Sequence, residues 1–439
     1  MAPYQRPAAV RIIPASRFHG GKLHALRLSI ALLIALAVVG CRQEQKPVAK
    51  SMNYAQELPP GELALRKIPP AMYPDFSSMQ TDQAALIRAI DNSLTYLAAP
   101  SSKRFFPYAD ITHDRAVATL KALRELASSD NADWNAEIRN RFDVYQSIGA
   151  PTPDPLAGPT PSPGYSGEVL YTGYFTPIYN ASLTRGGPYQ WPVYKRPADL
   201  VSDETGEAVY RRAPNAAGGP TSIGTTAIAP VADNRYWTRA EIERDGKLQG
   251  QELAWLTSRW EAYVVTVQGS ARLKLTDGRT YEIGFAGTNG QPYVSPGRQM
   301  LADGVIKREQ LSLKGLGQYF TEHPEHMDQY LWLNPRTTFF TERPGGPYGK
   351  LNVPVTAFAT IATDKEVYPR AMPAFLTTTI PTAGGGSRPF RGFMLDQDTG
   401  GAIRSAGRAD IYMGIGPQAE QLAGRQLFPG KLYYLAVRF

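Results

Sequence analysis

The stretch QDTGGAIRSAGRADIYMGIG, residues 397–416, sets two carboxylates in a run otherwise made of glycine, alanine, arginine and short strand-formers. Asp398 precedes a Gly-Gly turn, and Asp410 opens the extended segment Ala409-Asp410-Ile411-Tyr412. Loops on rigid scaffolds are where catalytic groups concentrate, and carboxyls there can give and take protons. Other catalytic sets are missing: the chain has no glycine-rich phosphate loop, no HExxH and no GxSxG. His323-Pro-Glu-His326 has metal-ligand spacing, but a metal site needs further ligands, so a surface turn at a helix start is the better reading and no metal or cofactor is expected. Two further stretches could serve these carboxylates. Thr172, Gly173 and Tyr174 lie in YTGYFTP, and Gln268 reads as the polar tip of an apolar-flanked strand, VTVQGSA. Tyrosine is abundant, at 24 residues. Aromatic faces and amides are the equipment of sugar grooves, although each of these positions taken alone is better explained by sheet packing.

These residues need elements to hold them. Thr81 or Asp82 is placed to cap a helix with Leu86, Ile87, Ile90, Leu94 and Leu97 on one face. Thr112 caps a second, striped by Val117, Leu120, Leu123 and Leu126, and a third carries Trp134, Ile138, Phe142 and Tyr145. The proline- and glycine-rich stretch 149–164 ends the helical part. Strands are then expected at 167–179, 262–275, 279–288, 353–363 and 431–439, with helical pieces at 306–322 and 325–333. Short strands with Gly/Pro turns favour barrels over a doubly wound sheet. There is no internal repeat.

The beginning of the chain reads as an export signal. Arg6, Arg11, Arg17, Lys22 and Arg27 precede the apolar run Leu28–Val39, which is too short to span a bilayer comfortably. The only cysteine, Cys41, follows at once. Val38-Val39-Gly40-Cys41 resembles the lipobox of bacterial lipoproteins, which implies lipidation at Cys41, and Arg42 in place of aspartate implies the outer membrane. The formal charge of +8 shrinks when the signal's five basic residues go: 42 Lys+Arg then face 39 Asp+Glu, a net +3. A nucleic-acid partner is therefore not expected. Without thiols, the mature chain has no disulfides, Cys-zinc sites or cysteine nucleophile.

Four segments in order, 172–197, 267–293, 362–373 and 395–416, resemble the membrane-bound lytic transglycosylase A family. The last two resemble its three-aspartate (3D) domain, contributing Asp364, Asp398 and Asp410; Ala271 stands where the family often has glycine. The resemblance implies a mainly β fold with N-terminal helices: a double-psi β-barrel domain and an inserted smaller β-barrel domain, with a cleft between them. The expected boundaries are 1–40 signal, 41–75 lipidated terminus and tether, 76–180 with 341–439 catalytic barrel, and 181–340 insert. It also implies cleavage of the β-1,4 bond between N-acetylmuramic acid and N-acetylglucosamine of peptidoglycan, leaving 1,6-anhydro ends, with Asp410 as acid and then base. Asp398 would support the site, with Gln268, Thr172, Gly173 and Tyr174 as sugar contacts and Asp364 structural. Partners implied are glycan strands, the outer membrane through the lipid anchor, and proteins of cell-wall synthesis or division. Two rivals stand: an inverting glycoside hydrolase on the same barrel, and a non-catalytic peptidoglycan-binding envelope lipoprotein.

Overall fold

The computed structural model describes residues 52–77, 79–130, 132–152, 162–202 and 235–439, with the backbone of 208–211. The signal run, Cys41 and most of the Pro/Gly stretch 149–164 lie outside the described residues. Among the described residues sixteen strands follow in order: β1 Leu65–Ile68, β2 Phe142–Ser147, β3 Val169–Thr176, β4 Ile178–Ser182, β5 Trp191–Tyr194, β6 Leu200–Ser202, β7 Ala208–Arg211 and β8 Glu252–Leu256. Then come β9 Ser270–Leu275, β10 Thr280–Thr288, β11 Thr338–Glu342, β12 Thr360–Ala362, β13 Pro373–Pro381, β14 Ser387–Asp398, β15 Arg408–Ile415 and β16 Leu427–Val437.

The first lobe is a closed barrel. Strands β16, β13, β14, β12, β15 and β3 pair in that order, and β3 pairs back to β16. Closure leaves no free edge within the ring. β1 and β2 extend the sheet outward from β16. Helices cover one side. Gln83–Ala98 begins at Asp82, whose side chain accepts the Ala85 N–H, and buries Leu86, Ala89, Ile90 and Leu97. Thr112 caps His113–Ala127 through the Arg115 N–H. Each such cap is worth about 1 kcal/mol. Gln397, fully buried on β14, stitches the first helix to the barrel: its Nε2 donates to the Ala89 carbonyl and its Oε1 accepts from Thr360.

The second lobe is a six-stranded sheet ordered β11-β10-β9-β4-β8-β5. A parallel bridge between Lys195, just beyond β5, and Phe340 of β11 joins its two ends. Its apolar interior is separate, with Ala254, Leu256, Val265, Leu273, Ile283 and Phe340 at its centre. β4 follows β3 after the single residue Pro177, so one extended run passes from the barrel into this lobe.

Several elements differ from the sequence expectation. The third helix stops at Arg141; Phe142 and Tyr145 belong to β2, where aromatic and β-branched side chains fit between β1 and β16. The segment 262–275 is not one strand. Ser258 caps a helix over Arg259–Gln268, Gly269 ends it at φ 78°, and β9 starts at Ser270. Val264 and Val265 are buried on that helix, so their β-branched character misled. Only Thr360–Ala362 of 353–363 is a strand. The pieces 306–322 and 325–333 contract to helices Leu313–Glu322 and Met327–Leu331, each preceded by a 3-10 turn.

Candidate active site

Sheet register assembles the site. On β12, Ala362 pairs with Asp398 of β14 on one side and with Asp410 of β15 on the other. Asp410 in turn pairs with Thr172 of β3. Four neighbouring strands thus contribute one rung, Asp398-Ala362-Asp410-Thr172. Two residues along, Tyr412 pairs with Tyr174, and their rings lie 5.1 Å apart. A period of two puts Arg408, Asp410 and Tyr412 on one face of β15.

This rung opens on a cavity of about 980 Å³ lined by residues of both lobes. Thr172, Gly173, Tyr174, Gln268, Asp398 and Asp410 all line it; Asp364 does not. Thr172 Oγ1 donates a hydrogen bond to Asp410 Oδ1. The same oxygen accepts from Arg408 Nη2 at 2.9 Å, and that guanidinium nitrogen stands 3.6 Å from Asp410 Oδ1. Arg408 therefore faces the aspartate rather than pairing with another carboxylate deeper in the domain. Asp410 Oδ2 has no hydrogen-bond partner among the described residues. With Oδ1 held by a donor, a proton on this carboxyl belongs on Oδ2.

Asp398 is held differently. Its Oδ1 accepts the Lys350 N–H at 2.7 Å and its own neighbour Thr399 N–H at 2.8 Å. Enclosure by protein pushes its carboxyl above the usual range, and those two amide bonds work against the shift. Tyr174 lies beside it with its hydroxyl buried; that burial and then the Asp398 charge raise its phenol, and the hydroxyl makes no well-formed hydrogen bond.

Gln268 sits at the helix C-terminus, not on a strand, and its Oε1 accepts the Phe175 N–H at 3.0 Å. That bond ties the inserted lobe to β3 and leaves the amide nitrogen for the cavity. Gly173 has a steric reason: a Cβ there would come within 2.8 Å of the Ala423 Cα, on the helix Pro417–Ala423 that packs against β3. Asp364 is buried in the turn after β12. Its carbonyl accepts from the Val367 and Tyr368 amides, its side chain from the Glu366 amide, and burial raises its carboxyl.

The sequence reading missed the layer beneath. Asp396 is fully buried. It is paired with Lys365 and accepts from Thr363 and Tyr434 at 2.7 Å each. Only the alternation Asp396-Gln397-Asp398 hinted that a second carboxylate shared this strand. Lys350 was also missed, because it acts through its backbone from an irregular segment. His323, Glu325 and His326 do come together, but they are outside the cavity lining and exposed to intermediate in burial.

Fold and site define a two-lobed β protein whose closed barrel floors a long cleft with carboxylates. Residues 170–341 match the family model described as the MltA specific insert domain, and 359–436 match the 3D domain. Membrane-bound lytic murein transglycosylase A of Escherichia coli K12 is 28% identical over 277 residues, 61% of this chain and 66% of that protein. The Vibrio cholerae protein of the same name is 28% identical over 279 residues, 62% of this chain and 66% of its own length. The chain thus aligns with somewhat less than two thirds of these curated relatives. A membrane-bound lytic murein transglycosylase from Agrobacterium tumefaciens superposes with a TM-score of 0.64 at 26% identity, over 85% of this chain and 98% of that one. Escherichia coli MltA with bound chitohexaose has the same fold, with a TM-score of 0.64 at 22% identity over 90% and 100% of the two chains. The chain thus carries both the MltA specific insert and the 3D domain and is similar to the membrane-bound lytic murein transglycosylase A proteins.

Proposed function

We propose that this protein is a lytic transglycosylase that cleaves the β-1,4 bond between N-acetylmuramic acid and N-acetylglucosamine, with Asp410 as acid and then base. One observation carries the reading: Asp410 lines the cleft, is fastened through Oδ1 and keeps Oδ2 without a hydrogen-bond partner among the described residues. Protonated there, it delivers its proton to the glycosidic oxygen as the bond to the muramyl anomeric carbon breaks. The muramyl C6 hydroxyl closes on that carbon, and Asp410 takes its proton. No water enters, and the carboxyl ends as it began. A hydrolase usually employs a second carboxylate as nucleophile or base. Here the nucleophile belongs to the substrate, and tethering supplies the advantage a second group would otherwise provide. Asp398 fixes the Lys350 segment and the turn at Thr399 against the barrel floor.

The test is digestion of purified murein sacculi, with mass spectrometry of the soluble products. Ends bearing 1,6-anhydromuramyl groups, one water lighter than hydrolysis products, are expected. Products of full hydrolytic mass would establish a hydrolase instead. Sacculi bound but left intact would establish the non-catalytic lipoprotein. The relatives are named membrane-bound, and we propose the same address here through a lipid on Cys41, at the periplasmic face of the outer membrane. Cys41→Ser should then leave the membrane fraction.

A further inference from the structure

The charge of the cleft exceeds what its chemistry needs. Eight cationic side chains line it against three acidic ones, a surplus of five. The whole chain after position 40 carries only +3, so the rest of it is net acidic. Some of these cations are committed: Arg239, for example, is buried against Glu243. Three are exposed and form no hydrogen bond or salt bridge through their side chains with a described residue. These are Arg298 and Lys314 on the inserted lobe and Arg404 on the barrel. Lys314 lies in the field of Glu420, and Arg404 in that of Asp364. Beside Asp410, Arg408 Nε is buried and without a partner. A neutral sugar polymer gives such a surplus nothing to bind, whereas a walled cleft of one sign concentrates ligands of the other.

Resting on the proposed action on peptidoglycan, we infer that this cleft recognises carboxylates carried by the glycan, and that Arg298, Lys314 and Arg404 bind them. Two sources share that chemistry: the acidic residues of stem peptides, and the free lactyl carboxylate of muramic acid once a peptide is removed. Guanidinium groups suit either, because they pair with carboxylates in a two-pronged geometry.

Binding is measured by calorimetry on full-length Asp410→Asn protein, which removes turnover. Four probes are compared: soluble peptide-bearing strands, peptide-free strands, peptide-bearing strands with carboxyls neutralised by carbodiimide and glycinamide, and chitohexaose. Peptide-bearing strands should bind roughly tenfold tighter than neutralised ones at low salt, the order expected of three solvent-screened contacts. The gap should narrow as salt rises. Arg298→Gln/Lys314→Gln/Arg404→Gln should erase the gap without changing chitohexaose affinity. Either result for peptide-free strands supports the inference: tight binding assigns the lactyl group, weak binding the peptide. Equal affinity for acidic and neutralised strands, or a gap that survives the triple substitution, overturns it. If the parent binds none of the four probes, the peptidoglycan reading falls and takes this inference with it.

Discussion

Asp398 and Asp410 occupy one rung of the barrel, each paired with Ala362 from its own side. Two strand spacings, roughly 10 Å, therefore separate their main chains. A carboxylate pair that forms a covalent glycosyl intermediate stands only about 5–5.5 Å apart. Their surroundings divide them further. Asp398 has two backbone amides on one oxygen, whereas Asp410 has a threonine hydroxyl on one oxygen and, among the described residues, no hydrogen-bond partner on the other.

That asymmetry sets the first prediction. Asp410→Asn preserves shape but has no proton to give, and should lower turnover on sacculi by roughly 10²–10⁴-fold. Asp398→Asn still accepts both amide bonds through its carbonyl oxygen and should cost less. Turbidity clearing with both folded variants gives the order. Near-normal clearing by Asp410→Asn would move the acid role to Asp398.

Thr172 should act on the rate rather than on binding. Its hydroxyl accepts from Arg408 and donates to Asp410, so Thr172→Val removes both bonds and lets the carboxyl turn. Hydrogen bonds to charged groups are worth about 1.5–3 kcal/mol, so kcat should fall about 10–100-fold. KM should move little, and Thr172→Ser should recover most of the rate. A variant with KM raised and kcat intact would make Thr172 a sugar contact only.

Much of this site was legible because it is local. Asp410, Thr172 and Tyr174 sit in strands with clear alternation, and Asp82 and Thr112 occupy cap positions with apolar stripes behind them. What stayed hidden depends on partners distant in sequence. The partner of Arg408 cannot be read locally, because Thr172 lies 236 positions away. Gln268 was assigned to a strand because valines precede it; tertiary packing made that stretch a helix, and only Gly269 marked its end. Lys365 and Asp396 stand 31 positions apart, so nothing local signals their pairing, which only the closed barrel creates.

The pH dependence of stability follows from Asp398. Burial raises its folded pKa above the unfolded value, so the fold favours the protonated form. Its favourable contribution is complete below the unfolded value of the carboxyl. It is lost as pH rises through the folded one. Asp398→Asn remains uncharged throughout. The melting temperature of wild type minus that of Asp398→Asn should therefore fall from pH 3.5 to 7. A difference that rises over this range would mean that the two amide bonds outweigh enclosure.

Lys365 and Asp396 make the last prediction. Lys365 is 4% exposed at its side chain and Asp396 not at all. Burial lowers the lysine's pKa, and the aspartate's charge opposes that shift. Removing one partner of such a pair strands the other in a low-dielectric interior, at a cost of about 3–5 kcal/mol. Lys365→Met and Asp396→Leu should each lower stability by that order in urea titrations. The double variant should regain a large part of the loss, because the desolvation cost of both charges disappears together. It will not regain all of it, since Thr363 and Tyr434 lose the carboxylate they donate to. The two single losses simply adding in the double variant would show that the residues do not act as a pair. Asp396 lies two residues before Asp398 on β14, so loosening the pair should also lower sacculus clearing in variants that remain folded. Full activity in a destabilised single variant would confine the pair to holding the barrel together.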